Sequence, residues 1–286
     1  METRVKAPAK VNLVLRVTGK REDGYHEIKS VFQKISLFDI LSFTDAPDGK
    51  IELECNHSQV PVDESNLIVM AVQLLKKATG VTKGVKIVLT KKIPLSAGLG
   101  GGSSDAAVTL KELNQRWDTG LPDGELRKLA FSLGADVPFF LGSALSWVEG
   151  AGEMVTPLKA KRSLPALIVN PGFGISAGVA YAGSRFKFAD FNRDYDLVAD
   201  IESGDPSRVS RHLKNDLEPY ALSHYPELAK LKEKIEKTIP QPLGSVVTGS
   251  GPTILSIYAD MDTARLAGEK LKGTAPFIET VSTLID

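Results

Sequence analysis

The residues most ready for chemistry lie in one run, Pro94-Leu95-Ser96-Ala97-Gly98-Leu99-Gly100-Gly101-Gly102-Ser103-Ser104. Four glycines fall within five residues of it, between an alternating apolar segment and the start of a helical pattern. Glycine lets the backbone turn N–H groups toward a ligand with no Cβ in the way, and a helix start adds positive potential. A phosphate chain therefore fits there. Ser103 and Ser104 could cap that helix, or offer hydroxyls to phosphate and a Mg²⁺ ion bound with it. The competing reading is a serine-capped glycine turn with no ligand, which the clustering of glycines makes less attractive. Two better-known phosphate loops are excluded. Gly19-Lys20 is followed by Arg21 and Gly49-Lys50 by Ile51, so no P-loop triplet exists. A dinucleotide fold would carry its glycines after the first strand of a repeating βαβ series, with an acidic residue ~20 positions on. Asp118 or Asp123 meets that spacing loosely, but this loop follows several strands in non-repeating order. A dinucleotide-dependent oxidoreductase is the weaker reading.

The elements that would position such a loop follow from periodicity. Val11, Leu13, Leu15 and Val17 point one way and Lys10, Asn12, Val14 and Arg16 the other. That alternation predicts a strand with one buried face and sets Lys10 beside Asn12 on the opposite one. Further strands are expected over 31–43, at 51–55 and through Val85, Ile87 and Leu89. Leu67, Ile68, Ala71, Leu74, Leu75 and Ala78 keep helical spacing, with Ser65 as N-cap and Gly80 as stop. A second helix follows the glycine loop, with Ala106, Ala107, Leu110, Leu113 and Trp117 on one stripe, and a third runs 122–133 to Gly134. A hairpin turns at Gly150-Ala151-Gly152. Beyond a polar stretch near Leu158 the order is strand, helices, strand, strand, helix, strand, the ferredoxin-like split pattern. Both halves read as α+β, with a boundary expected at residue 158: domains 1–158 and 159–286.

Composition closes off other classes. At roughly 150 residues per domain, 286 residues predict two domains. Lys plus Arg is 35 and Asp plus Glu is 35, so the net charge is zero, which argues against a nucleic-acid binder or a polybasic membrane protein. The single cysteine, Cys55, excludes intrachain disulfides, Cys-rich zinc sites and iron–sulfur clusters. His26, His57, His212 and His224 lack paired helical spacing, so no His-built metal site is expected; the last three read as surface or satisfied polar positions. The charged start, METRVKAPAK, argues against a secretory signal. Two uncharged stretches, 163–184 and 238–259, contain prolines and glycines and read as buried strand–loop–strand material, not as membrane spans. The expected home is the cytoplasm.

Five segments taken together, AKVNLVLRVTGKREDGYHE, PLSAGLGGGSSDAA, GADVPFFL, NDLEP and TGSGPTIL, resemble the GHMP kinase superfamily over nearly the whole chain. GKREDGYHE and GADVPFF narrow the resemblance to kinases of a cytidine-diphosphate-linked methylerythritol in isoprenoid precursor biosynthesis. The resemblance implies a ribosomal-S5-domain-2-like α+β N-terminal domain and a ferredoxin-like C-terminal domain. It implies ATP as co-substrate, Mg²⁺ carried with it near Ser103, no protein-built metal site, and a monomer or weak homodimer.

Carried over residue by residue, it makes Asp136 the base that takes the proton of the attacking hydroxyl and Lys10 the cation that counters charge on the phosphoryl group. On spacing alone Asp136 reads better as a turn residue before Pro138, and the competing reading of Lys10 is a solvated charge on an edge strand. Asn12 would meet the polyol end of the substrate, Tyr25 and His26 the cytosine, with Phe32 a wall of that pocket and Tyr181 a second stacking ring. Asn66 would reach adenine or simply cap its helix. Thr248-Gly249-Ser250-Gly251-Pro252 would form a second glycine turn at the site, or a plain hairpin turn. A mevalonate- or homoserine-type kinase and a non-catalytic nucleotide-binding protein are the rival functions. Intact Lys10 and Asp136 weigh against the latter.

Overall fold

In the computed structural model, which describes residues 2–286, the chain begins with two long strands, β1 (Thr3–Lys20) and β2 (His26–Ala46). Then follow β3 (Ile51–Cys55), α1 (Leu67–Thr79), β4 (Gly84–Thr90), α2 (Gly101–Arg116), α3 (Asp123–Leu133) and α4 (Val137–Phe140). The hairpin β5 (Leu145–Gly150) and β6 (Met154–Leu158) leads to β7 (Pro165–Asn170). Helices α5 (Ala177–Gly183), α6 (Tyr195–Ser203) and α7 (Pro206–Ser210), the short β8 (Lys214–Asn215), then α8 (Glu218–His224) and α9 (Pro226–Lys237) come next. The chain closes with β9 (Gly244–Val247), β10 (Ile254–Ile257), α10 (Met261–Leu271) and β11 (Phe277–Ser282).

These elements pack as two compact units, one of Met1–Ala9, Leu37–Ile93 and Gly100–Gly142, the other of Lys10–Ser36, Pro94–Leu99 and Ser143–Asp286. Both long strands, and the glycine loop, therefore contribute residues to each. In the first unit the strands pair in the order β3-β4-β2-β1, with β3 parallel to β4 across the α1 crossover. Helix α1 buries Ile68, Val69, Ala71, Val72 and Leu75, and packs against α2 and α3. Its stop is set by Gly80 at φ +73°, a left-handed conformation that side chains with a Cβ resist. Helix α2 buries Ala106, Ala107, Leu110 and Leu113 against its neighbours, fixing where the glycine loop must deliver the chain.

In the second unit β5 pairs with the first half of β2, and β8 runs parallel to β1 at Val14–Leu15. The ferredoxin-like part forms a separate antiparallel sheet, order β11-β7-β10-β9, with all six residues of β7 buried. That is the strand order the split pattern predicts. No described helix is long and apolar enough to cross a membrane.

Three local expectations need correcting. Strand β1 is buried on both faces from Ala9 to Leu15, so Lys10 sits in the interior at 3% exposure and is no edge-strand charge. Helix α1 is capped by Asn66, whose extended backbone lets its Oδ1 accept from the Ile68 N–H; Ser65 lies one residue too early. Neither Ser103 nor Ser104 caps α2. Gly100, at φ +67°, holds the N-cap position, and both serines lie inside the helix.

Candidate active site

In the second unit, β1 presents Lys10 and Asn12 on one face, as alternation requires. Lys10 Nζ donates to Asn12 Oδ1 at 2.7 Å and stands 4.5 Å above the centroid of the Phe32 ring. Asn12 is wholly buried: its Nδ2 donates to Ser30 Oγ at 3.0 Å and its backbone N–H to Thr248 Oγ1 at 2.7 Å. An ammonium fixed by an amide oxygen and a ring face is aimed, because both partners are directional. Phe32, expected as a pocket wall, is instead a buried platform beneath that ammonium.

The Thr248–Pro252 turn is more than a plain hairpin turn. A Cβ on Gly98, itself at φ +77°, would stand 2.3 Å from the Thr248 carbonyl oxygen, and one on Gly249 would stand 2.8 Å from the Gly98 carbonyl oxygen. Main chain meets main chain there, which glycine alone permits. Asn215 holds the turn from behind, its Nδ2 donating to the Val247 and Gly249 carbonyls at 2.6 and 2.7 Å. The other side of the glycine loop is tied in as well: Ile175 N–H donates to the Ser96 carbonyl and Lys10 N–H to that of Leu99. Pro94, Leu95 and Ala97 complete this stretch, with Ala97 and Leu99 buried as its apolar anchors.

In the first unit the loop runs into α2. Its first turn, Gly101–Gly102–Ser103, leaves backbone N–H groups without intrahelical partners, the feature that binds anions at helix starts. Gly102 is exposed, and a Cβ there would meet only Leu67 Cδ1 at 3.6 Å. Ser103 is half-buried. Ser104 is fully buried with its hydroxyl unpartnered among the described residues, so of the two serines only Ser103 can offer a hydroxyl to phosphate. Asn66 caps α1 and donates to the Pro61 carbonyl at 2.6 Å, which commits both ends of its amide. Asp136 in the same unit is half-buried just before α4, and its carboxylate makes no capping bond to that helix.

The aromatic residues fall in the second unit. His26 stacks on Tyr181 with ring centroids 5.0 Å apart at 25°, and meets Phe186 edge-on at 5.2 Å. Burial, with Lys20 nearby, lowers the imidazole's affinity for a proton, so it is neutral at pH 7 and offers one ring nitrogen as donor and the other as acceptor. Tyr25 stands at the β1–β2 hairpin turn and is 53% exposed. The turn beneath it is fixed by Arg21, which pairs with Asp23, Glu27 and Glu153.

Two family models match the sequence: the GHMP kinase N-terminal domain over residues 66–143 and the GHMP kinase C-terminal domain over 197–276. A 4-diphosphocytidyl-2-C-methyl-D-erythritol kinase of Clostridium botulinum is 39% identical over 94% of this chain and 95% of its own. One from Thermoanaerobacter pseudethanolicus is 40% identical over 96% of this chain and 94% of its own. The chain belongs to the 4-diphosphocytidyl-2-C-methyl-D-erythritol kinase family, within the GHMP kinases. A crystal structure of 4-(cytidine 5'-diphospho)-2C-methyl-D-erythritol kinase superposes with a TM-score of 0.82 at 32% identity, covering 98% of this chain and 99% of that one. As a GHMP kinase the protein is an enzyme that takes ATP as co-substrate.

This GHMP kinase also contains a charged cluster that periodicity does not reveal. In the first unit Lys91 Nζ donates to Asp39 Oδ2 at 2.5 Å and to Asp105 Oδ2 at 2.8 Å, all three side chains at most 5% exposed. Asp39 Oδ1 accepts from the Lys92 and Ile93 N–H groups at 2.6 and 2.9 Å. The residues lie 52 and 14 positions from Lys91, and the one sequence signal is a lone carboxylate inside the apolar run SLFDILSF. Burial pushes the Asp105 carboxyl from its ordinary 3.8 up to about 7; Lys91 pulls it back and Asp39 adds to the rise. Burial alone would lower the Lys91 pKa, but the two carboxylates outweigh it and hold the ammonium above the ordinary lysine value.

Between pH 4 and 7 the folded kinase holds a proton on Asp105 that the unfolded chain has released. Stability from this group is therefore fully present below its unfolded pKa and is lost as pH rises through about 7. The urea midpoint of the wild type should fall between pH 5 and 8 relative to that of Asp105→Asn, which has no such proton to release. Parallel midpoint-against-pH curves would remove this assignment.

Proposed function

We propose that this kinase transfers the γ-phosphoryl group of ATP to the 2-hydroxyl of 4-diphosphocytidyl-2-C-methyl-D-erythritol, giving the 2-phosphate and ADP, a step of non-mevalonate isoprenoid precursor biosynthesis. The observation that carries the choice of substrate is the neutral His26 imidazole, stacked on Tyr181 at 5.0 Å, next in sequence to the half-exposed Tyr25 ring. A pyrimidine needs a π-face to stack on and a polar edge to read. Tyr25 supplies the first and the His26 ring nitrogens the second. Mevalonate and homoserine carry no base and give that pair nothing to do.

In this reading Asp136 accepts the proton of the substrate hydroxyl, and Lys10, aimed by Asn12 and the Phe32 ring, counters the charge that develops on the phosphoryl oxygens. Asn12 orders Lys10 through its Oδ1 and would meet the polyol end of the substrate with the remaining capacity of its amide. The N–H groups of Gly101, Gly102 and Ser103 take the triphosphate, and Asn66 shapes the adenine side as the cap of α1. Among the described residues no three His, Cys, Asp or Glu side chains gather to hold a metal ion. Mg²⁺ would come with the ATP phosphates, with the Ser103 hydroxyl as its protein neighbour, and would neutralise phosphate charge there. A boundary between the two family domains near residue 158 is supported by its falling between the matched segments 66–143 and 197–276. The reaction belongs in the cytoplasm, and the protein acts as a monomer or weak homodimer without nucleic acid or membrane.

An ADP-release assay tests the reading against the cytidine-linked substrate, free methylerythritol, mevalonate and homoserine. Only the first should turn over efficiently, because the remote nucleotide supplies binding energy that orients the reacting hydroxyl. Efficient use of mevalonate or homoserine would leave a GHMP kinase and remove this substrate.

The loop has its own test. Gly101 is a poor probe, since a Cβ there would stand 2.8 Å from Lys91 Nζ and 3.0 Å from Ile93 Cγ2 and disturb the buried cluster. Gly102→Asp is better. A carboxylate in the first turn favours the helix but competes with phosphate for the same N–H groups. The KM for ATP should rise roughly 10- to 100-fold, equivalent to about 1.4–2.8 kcal/mol, with the melting temperature unchanged or higher. An unchanged KM would reduce the loop to a turn.

A further inference from the structure

The glycine loop has two ends, and both are anchored to the same three buried side chains. Where the loop leaves β4, Asp39 Oδ1 accepts from the N–H groups of Lys92 and Ile93, the last two residues before Pro94. Where the loop enters α2, Asp105 binds Lys91 Nζ at 2.8 Å, and Lys91 also binds Asp39. The start of α2 presses directly on this cluster, with no room for a Cβ on Gly101 between it and Lys91 Nζ.

Three charges buried this deeply are weak evidence for stability, because apolar side chains of similar volume commonly do as well. What charge-assisted hydrogen bonds supply and apolar packing does not is direction. Here the direction is imposed on backbone N–H groups and on a helix start.

We infer that Lys91, Asp39 and Asp105 are positioning residues for the triphosphate: they set both ends of the glycine loop and so govern ATP affinity without touching the nucleotide. The inference rests on the reading of that loop as the triphosphate site. A merely structural staple would affect every ligand and the melting temperature together. A positioning role instead affects the phosphates selectively.

The experiment compares the affinities of ATP and adenosine, with the melting temperature, for Lys91→Met, Asp105→Asn and Gly102→Asp. Lys91→Met removes the shared cation, and Asp105→Asn is the isosteric variant that keeps the Lys91–Asp39 pair should the first fail to fold. In each folded variant of the cluster, ATP affinity should fall about 10-fold or more, the scale on which small misplacements act. Adenosine affinity should change less than about 2-fold, since the base and ribose do not depend on the N–H array. Equal losses for ATP and adenosine, or no loss in folded Asp105→Asn, would overturn the positioning role. If Gly102→Asp weakens ATP while folded Asp105→Asn does not, the loop assignment stands and this inference alone fails. Unchanged ATP affinity in Gly102→Asp overturns both.

Discussion

Turnover by Asp136→Asn should fall ~10²–10⁴-fold while ATP still binds. The substitution keeps the shape of the side chain and removes its ability to take a proton, and phosphoryl transfer leaves the protein little else to do but position groups and stabilise charge. Asp136 is half-buried just before α4, a helix held by the burial of Val137, Pro138, Phe139 and Phe140, so the melting temperature of Asp136→Asn is measured beside its rate. Lys10→Ala should be comparably inactive, and the double variant no worse than either single one, the non-additivity expected of two groups that serve one step. Loss of Lys10 leaves Asn12 Oδ1 and the face of Phe32 without the ammonium in a buried site. That defect alone is worth ~1–3 kcal/mol of stability, so the melting temperature of Lys10→Ala must be measured beside its rate. Near-normal turnover in Asp136→Asn would end its assignment as base.

The second large effect concerns the base. Tyr25→Ala should raise the KM for the cytidine-linked substrate roughly 5- to 150-fold, from the ~1–3 kcal/mol typical of a base stacked on an aromatic ring. Exposure favours Tyr25 as that ring, because one face of His26 is already covered by Tyr181. Tyr181→Ala should act indirectly, by freeing the imidazole to rotate. An aromatic pair worth ~0.5–1.5 kcal/mol predicts a smaller rise of roughly 2- to 12-fold. The KM for ATP should barely move in either. A Tyr25→Ala variant that weakens ATP and spares the cytidine substrate would place the base elsewhere.

Much of this arrangement is legible in the sequence. Helix α1 ends at the glycine its pattern predicts, β3 occupies 51–55 as expected, and the strands after residue 158 pair in the ferredoxin-like order. Local rules succeed where one stretch of chain decides the outcome. They fail where a partner lies far away. Alternation treats Lys10 and Asn12 as a wet face because it weighs side chains one at a time, whereas in the fold they satisfy each other and dry out. Ser65 and Asn66 are both good cap residues, and only backbone conformation chooses between them. The Lys91 cluster and the His26–Tyr181 stack join residues that share no motif, so no spacing rule could have paired them.

The contact between the two glycine turns bears on inhibition. Where Gly98 lies against Thr248 and Gly249 the contact is peptide on peptide, and Gly98 is left half-exposed beside the buried Thr248 and Gly249. A compound that hydrogen-bonds to the Gly98 peptide would be recognised by atoms every residue possesses, so no exchange of side chains deletes that contact. Nor can bulk readily be added to push it out, since a Cβ at Gly98 or Gly249 collides with the opposing turn before it reaches any ligand. Resistance to such a compound would have to arise at a distance, through shifts that also loosen the turn's hold on the strand carrying Lys10, to which Thr248 is bonded through Asn12.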